Sequence, residues 1–167
     1  MSDTVILRKA SVADYEGIMR VWREASRAGH PFLSEEDLNA QELATRREHL
    51  PRADIMVADR DGAVVGFMAI LGDSVVGLFV APHAQGQGIG RQLVETAQVR
   101  SSILKLTVYE ANHTARAFYA GLGFRPVGRS ERDDEGRPLP VLRLGWEGGR
   151  GPCGGRVGRS PVGAFPT

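Results

Sequence analysis

The chain has 167 residues, 42% of them hydrophobic and 25% charged, a make-up that fits one globular domain able to bury about 68–70% of its unfolded surface. With 21 basic and 20 acidic residues it is nearly neutral, which argues against a nucleic-acid partner. One cysteine, Cys153, excludes an internal disulfide framework and a cysteine-rich zinc site, and no apolar run reaches the ~18 residues of a membrane span.

Met1-Ser2-Asp3-Thr4 lacks the charged-then-apolar profile of a signal peptide, so a cytoplasmic location is the default expectation. Val5-Ile6-Leu7-Arg8 reads as a short strand. Ser11 and Asp14 have the spacing of a capping box, opening a helix from about Val12 to Arg27 that Gly29-His30-Pro31 breaks. Ser34 and Asp37 repeat the box. Leu33 and Leu38 are spaced as a hydrophobic staple, and the second helix is expected to run to about Leu50, before Pro51. Ile55 to Asp59 and Ala63 to Leu71 are strands joined through the hairpin signal Arg60-Asp61-Gly62. Gly72-Asp73 turns into Val75-Val76-Gly77-Leu78-Phe79-Val80, an apolar run suited to a buried strand.

Gln85-Gly86-Gln87-Gly88-Ile89-Gly90 follows. Ile89, Leu93, Val94 and Ala97 then repeat at the spacing of a helix with one buried face. Alternate glycines let the chain turn tightly and leave amides uncovered, and a helix start adds unpaired N–H groups and partial positive charge. Together they predict a socket for phosphate or diphosphate. It is not a P-loop, because Arg91-Gln92 stands where Lys-Ser/Thr is required. Its G-x-G-x-G spacing also differs from the G-x-G-x-x-G of dinucleotide folds.

The strand Leu104 to Tyr109 leads to Asn112-His113-Thr114-Ala115-Arg116-Ala117-Phe118-Tyr119-Ala120-Gly121-Leu122-Gly123-Phe124. Asn112 is placed as an N-cap, and Gly123 suits the left-handed residue that ends a helix. Ala115, Phe118 and Leu122 are expected to face the core. Tyr119 lies two turns from Asn112 and about a hundred degrees from Phe118, which would turn it into a cleft. Two last strands, about Arg125 to Ser130 and Pro140 to Trp146, flank Asp133-Asp134-Glu135-Gly136. That acidic turn reads either as a solvated hairpin tip or as a site for a cationic substrate. Residues 1–147 form the expected domain. Residues 148–167, rich in Gly, Arg and Pro, read as a flexible tail with three arginines and no acid. His30, His49, His83 and His113 show no metal-ligand spacing and read as surface or capping residues, so no metal is expected. No internal repeat is visible.

The two glycine-bearing segments together resemble the GCN5-related N-acetyltransferase (GNAT) family. Gln85, Gly88 and Gly90 fill its Q/R-x-x-G-x-G/A loop; Asn112, Ala115, Phe118, Tyr119, Gly123 and Phe124 fill its N-x-x-A-x-x-F-Y-x-x-x-G-F segment. The resemblance implies an α/β (α+β) fold in the order β-α-α-β-β-β-α-β-α-β-β, with a mixed, mostly antiparallel sheet flanked by helices. It also implies acetyl-CoA as cosubstrate, with its diphosphate on Gln85 to Arg91 (Gly86, Gln87, Gly88, Ile89 and Gly90 included). The pantetheine arm would lie along Leu78, Phe79 and Val80, and Asn112 would hydrogen-bond it. In the same scheme the Val80 N–H polarises the acetyl oxygen and Tyr119 protonates the departing sulfur. Pro82 should end regular pairing, and splaying of the two central strands would open the slot.

The acceptor amine is less defined. Neutralising a lysine at pH 7 costs about 4.6 kcal/mol against its reference pKa. Glu110 is a candidate base; Asp73 and His30 are weaker ones, and Glu110 reads equally as a salt-bridge partner. His30 and Phe32, in the nearly uncharged segment Ala28 to Leu33, suit a slot for an aliphatic arm. The pattern also resembles a bacterial subgroup of protein-lysine acetyltransferases. A small-molecule amine, amino acid or antibiotic is an alternative acceptor, and a non-catalytic acetyl-CoA-binding module an alternative role. The sequence leaves a homodimer open.

Overall fold

The computed structural model describes residues 4–148. Seven strands form one sheet in the order β1-β2-β3-β4-β5-β7-β6. They are β1 (Val5–Lys9), β2 (Asp54–Arg60), β3 (Ala63–Leu71), β4 (Ser74–Val80), β5 (Ile103–Tyr109), β6 (Arg125–Ser130) and β7 (Val141–Glu147). The helices are α1 (Tyr15–Gly29), α2 (Glu35–Ala44), α3 (Ile89–Arg100) and α4 (His113–Gly121). The order of elements is the one the sequence predicts.

Local chemistry explains most boundaries. Ser34 accepts the Asp37 N–H (3.1 Å) and caps α2, while Leu33 and Leu38 are both buried beside it. The β2–β3 turn places Asp61 (φ +53) and Gly62 (φ +85) in left-handed conformations, as a tight primed hairpin requires. Two helices depart from expectation. The first begins as a 3-10 turn, Val12–Asp14, and becomes α-helical only at Tyr15. The second is α-helical only to Ala44, then takes a π turn, Thr45–His49. Within that turn the buried Thr45 hydroxyl donates back to Gln41 O (2.8 Å), a competitor to regular i−4 pairing.

β3 and β4 are almost wholly buried, because helices cover both faces of the sheet centre. Ile18, Met19, Val21 and Trp22 of α1 pack there; Leu93 and Val94 of α3 are buried too. All neighbouring strands pair antiparallel except β4 and β5. That pair is parallel and registers only at Ser74↔Lys105. Beyond it the two strands part, and the sheet opens toward the end of β4. Among the described residues no helix is long and apolar enough to cross a membrane. The predicted tail, with Cys153, lies outside the described residues apart from Gly148.

Candidate active site

The opening between β4 and β5 widens into a cleft of about 960 Å³. Its walls come from the end of β4, the glycine loop and start of α3, one side of α4, and the junction of α1 with α2.

The edge of β4 is set by strand alternation. Ala81 N–H donates to Val65 O on β3 (2.9 Å). Successive residues of a strand direct their main-chain groups to opposite edges, so those of Val80 face away from β3 and toward the gap. The Gln85 side chain donates to the Val80 carbonyl (3.0 Å), and by the same alternation the Val80 N–H faces the gap.

Gly86 (φ +78) and Gly88 (φ +82) are left-handed, and nothing in the protein lies within 4 Å of where their Cβ atoms would stand. Backbone conformation, not internal crowding, requires glycine here. Gly90 is different: its Cβ would stand 3.3 Å from Phe118 Cζ, so α3 begins hard against α4. The first bond of α3 runs from Gln92 N–H to Gly88 O (3.0 Å). The amides of Ile89, Gly90 and Arg91 therefore lack intrahelical acceptors, and the first turn holds no acidic residue. Unpaired amides at a helix start with no acid beside them are groups able to hold an anion.

Asn112 caps α4 by accepting the Ala115 N–H on Oδ1 (3.1 Å), a bond that does not use its Nδ2. Tyr119, predicted to face a cleft, does border it, yet it is also the buried residue of α4, 2% exposed. Its ring lies edge-on to Phe118 (5.1 Å) and Phe124 (5.4 Å). It still forms part of the cleft wall, so packing and access coexist. Phe118, expected in the core, is half-buried, because α4 lies against the start of α3 and presents that ring to Gly90.

A family model described as an acetyltransferase (GNAT) domain matches residues 15–140. The chain belongs to the GNAT N-acetyltransferases. It is 39% identical over 140 residues to a peptidyl-lysine N-acetyltransferase YjaB of Salmonella typhimurium, covering 83% of this chain and 95% of the relative. It is 38% identical over 146 residues to the YjaB of Escherichia coli, covering 86% and 98%. The apo solution structure of that Escherichia coli protein superimposes with a TM-score of 0.78 over 87% of this chain and 99% of the other, at 36% identity. A GNAT structure from Thermoplasma acidophilum in complex with coenzyme A shares the fold, with a TM-score of 0.67 at 18% identity over 86% and 99% of the two chains.

On this GNAT scaffold, Leu78 to Val80, Gln85, Gly86, Gly88 to Arg91, Asn112, Tyr119, His30 and Phe32 all border the one cleft. Gln87 and Glu110 do not. Gln87 accepts from the Arg60 guanidinium and donates through Nε2 to His83 O (3.5 Å). Glu110 is ion-paired with Arg129, and that guanidinium holds its carboxyl below the usual range, which weakens it as a base. Asp73 is paired with Lys105 (3.1 Å) at the unsplayed end of the two strands.

The side of the cleft formed by the α1–α2 junction was only partly legible. His30 and His49 are buried, not surface residues. Burial alone pushes the His30 imidazole down to about 4, so it is neutral at pH 7. Its ring meets Phe32 (5.6 Å) and Tyr109 (5.1 Å), and Phe32 meets Tyr109 (4.9 Å). Tyr109 OH accepts from Gln41 (3.2 Å) and donates to Asp133 (2.9 Å). Asp133 is not a solvated tip. Its buried carboxylate also takes the main-chain N–H of Glu135 (3.0 Å) and Arg137 (2.8 Å), and Arg137 reaches on to Asp37 (2.9 Å). This chain ties β5, α2 and the β6–β7 hairpin together behind His30 and Phe32. No local sequence pattern announces it, since Asp37 and Arg137 are 100 residues apart.

Proposed function

We propose that the protein transfers the acetyl group of acetyl-CoA to the side-chain amine of a protein lysine. The observation that carries this reading is the meeting, in one cleft, of the anion socket at α3, the gap-facing amide of Val80 and the phenol of Tyr119. The socket suits the diphosphate of coenzyme A. The main-chain edge of Leu78 to Val80, left by β5, suits the amide-bearing pantetheine arm, with Asn112 Nδ2 as a further donor. Two relatives named peptidyl-lysine N-acetyltransferases, at 39% and 38% identity, support lysine as the acceptor. The apolar rings at the α1–α2 junction suit its aliphatic stem.

In this reading the neutral amine nitrogen bonds to the thioester carbonyl carbon, and the Val80 N–H stabilises the oxygen as it gains charge. The carbon–sulfur bond breaks and Tyr119 gives its proton to the sulfur, which leaves as a thiol. The proton shed by the nitrogen returns to the phenolate through solvent. Glu110 stands apart from the cleft wall, so any proton it takes passes through water.

The test is thiol release from acetyl-CoA with a lysine peptide. The wild-type protein should turn over. Tyr119→Phe should lower kcat by roughly 100-fold or more while acetyl-CoA affinity stays within about twofold. Equal rates would remove Tyr119 from the role. Release with small amines but never with lysine peptides would move the acceptor to that class.

A further inference from the structure

We infer that the imidazole of His30 is the group that receives the acceptor amine, hydrogen-bonding the uncharged nitrogen beside the splayed strands. This rests on the acetyl-transfer reading above and names the contact that reading leaves open. His30 is the C-cap of α1 and borders the same cleft as Val80 and Tyr119. The end of α1 stands beside the cap of α4, because a Cβ on Gly29 would lie 3.8 Å from Asn112 Nδ2.

His30 is 3% exposed, yet Nδ1 is buried with no hydrogen-bond partner. Such a group is costly unless something completes it. The rings of Phe32 and Tyr109 pack against it. Phe32 offers no hydrogen bond, and the hydroxyl of Tyr109 is engaged by Gln41 and Asp133. With Nδ1 unpartnered, no second group pins the tautomer as in a histidine–carboxylate pair. The ring can thus offer a lone pair to an incoming N–H. Its low basicity makes it a hydrogen-bond acceptor rather than a store for the amine's proton. The surrounding rings also disfavour an ammonium that keeps its water. The ligand class is therefore the uncharged end of a primary alkylamine.

The experiment compares wild type, His30→Phe and His30→Asn on a lysine peptide with acetyl-CoA, reading kcat, KM for each substrate, melting temperature and calorimetric affinity for acetyl-CoA. His30→Phe should lower kcat/KM for the peptide roughly 10- to 100-fold, mostly through KM. Acetyl-CoA affinity and melting temperature should not fall. His30→Asn, which retains a polar acceptor, should recover a large part of the loss. A second readout needs no turnover: the imidazole ¹⁵N resonances of His30 should move when the peptide is added to the coenzyme A complex. An active wild type with His30→Phe within twofold of it, or an equal loss in both variants, overturns the inference and leaves the acetyl-transfer reading standing. A wild type that binds acetyl-CoA but acetylates no amine overturns both.

Discussion

At the scale of single residues, burial decides chemistry. Tyr119 and His30 both lie against the cleft, yet each is nearly inaccessible, at 2% and 3% exposure. For His30 this has a thermodynamic signature. An unfolded histidine takes a proton below about 6.5, whereas the folded ring stays neutral until about 4. Between those values the unfolded state binds more protons, so stability falls as pH falls, by about 3 kcal/mol over the whole window. Denaturant unfolding at pH 7 and pH 4.5 should show His30→Phe losing less stability than wild type on acidification. The carboxylates and the buried His49 are common to both proteins and cancel. Parallel losses would mean that the ring is hydrated and titrates normally. The sequence offers His30 as a helix break, a weak candidate base and part of an acceptor slot, but not its burial; the walls that hold it neutral come from residues 32 and 109.

At the scale of elements, glycine conformation and strand pairing shape the site. The glycine turn and the start of α3 were legible, because left-handed glycines and a helix start are local properties of six residues. Gly88 tests the proposed socket. Gly88→Ala should strain the φ +82 backbone by about 1–2 kcal/mol yet leave the fold intact. Gly88→Glu adds bulk and negative charge where the diphosphate would sit, and calorimetry should show acetyl-CoA affinity falling roughly 100-fold or more. Unchanged affinity in the Glu variant would count against the socket. The orientation of α4 was less legible. Periodicity placed Phe118 inward and Tyr119 outward, and packing against α3 reversed their burial. A helix lying across a cleft has two partly buried faces, and a single apolar stripe cannot say which ring goes deeper. The π turn after Ala44 was likewise invisible, since it follows from how Thr45 and Gln41 share a buried backbone.

At the scale of the whole molecule, the chain is built with almost no lysine. Lys9 and Lys105 are the only two; the remaining basic residues are arginine. Lys9 is exposed at the end of β1, whereas Lys105 is 8% exposed and paired with Asp73 where β4 and β5 still touch. A folded protein incubated with acetyl-CoA should therefore carry lysine acetylation at Lys9 alone, by peptide mass spectrometry, and Lys105 should become modified only after denaturation. Acetyl-Lys105 in the folded protein would show that the centre of the sheet opens. The order of strands and helices was determined by sequence alone, because caps, hairpin turns and apolar periods are written within a few neighbouring residues, and the two glycine-bearing motifs carried the resemblance to the family. Tertiary structure alone decided the depth of Tyr119, the unpartnered Nδ1 of His30, the ion pairs of Glu110 and Asp73, and the Tyr109–Asp133–Arg137–Asp37 chain. Each of these depends on which distant side chains share a low-dielectric space, and that is set by packing across the sheet rather than by spacing along the chain.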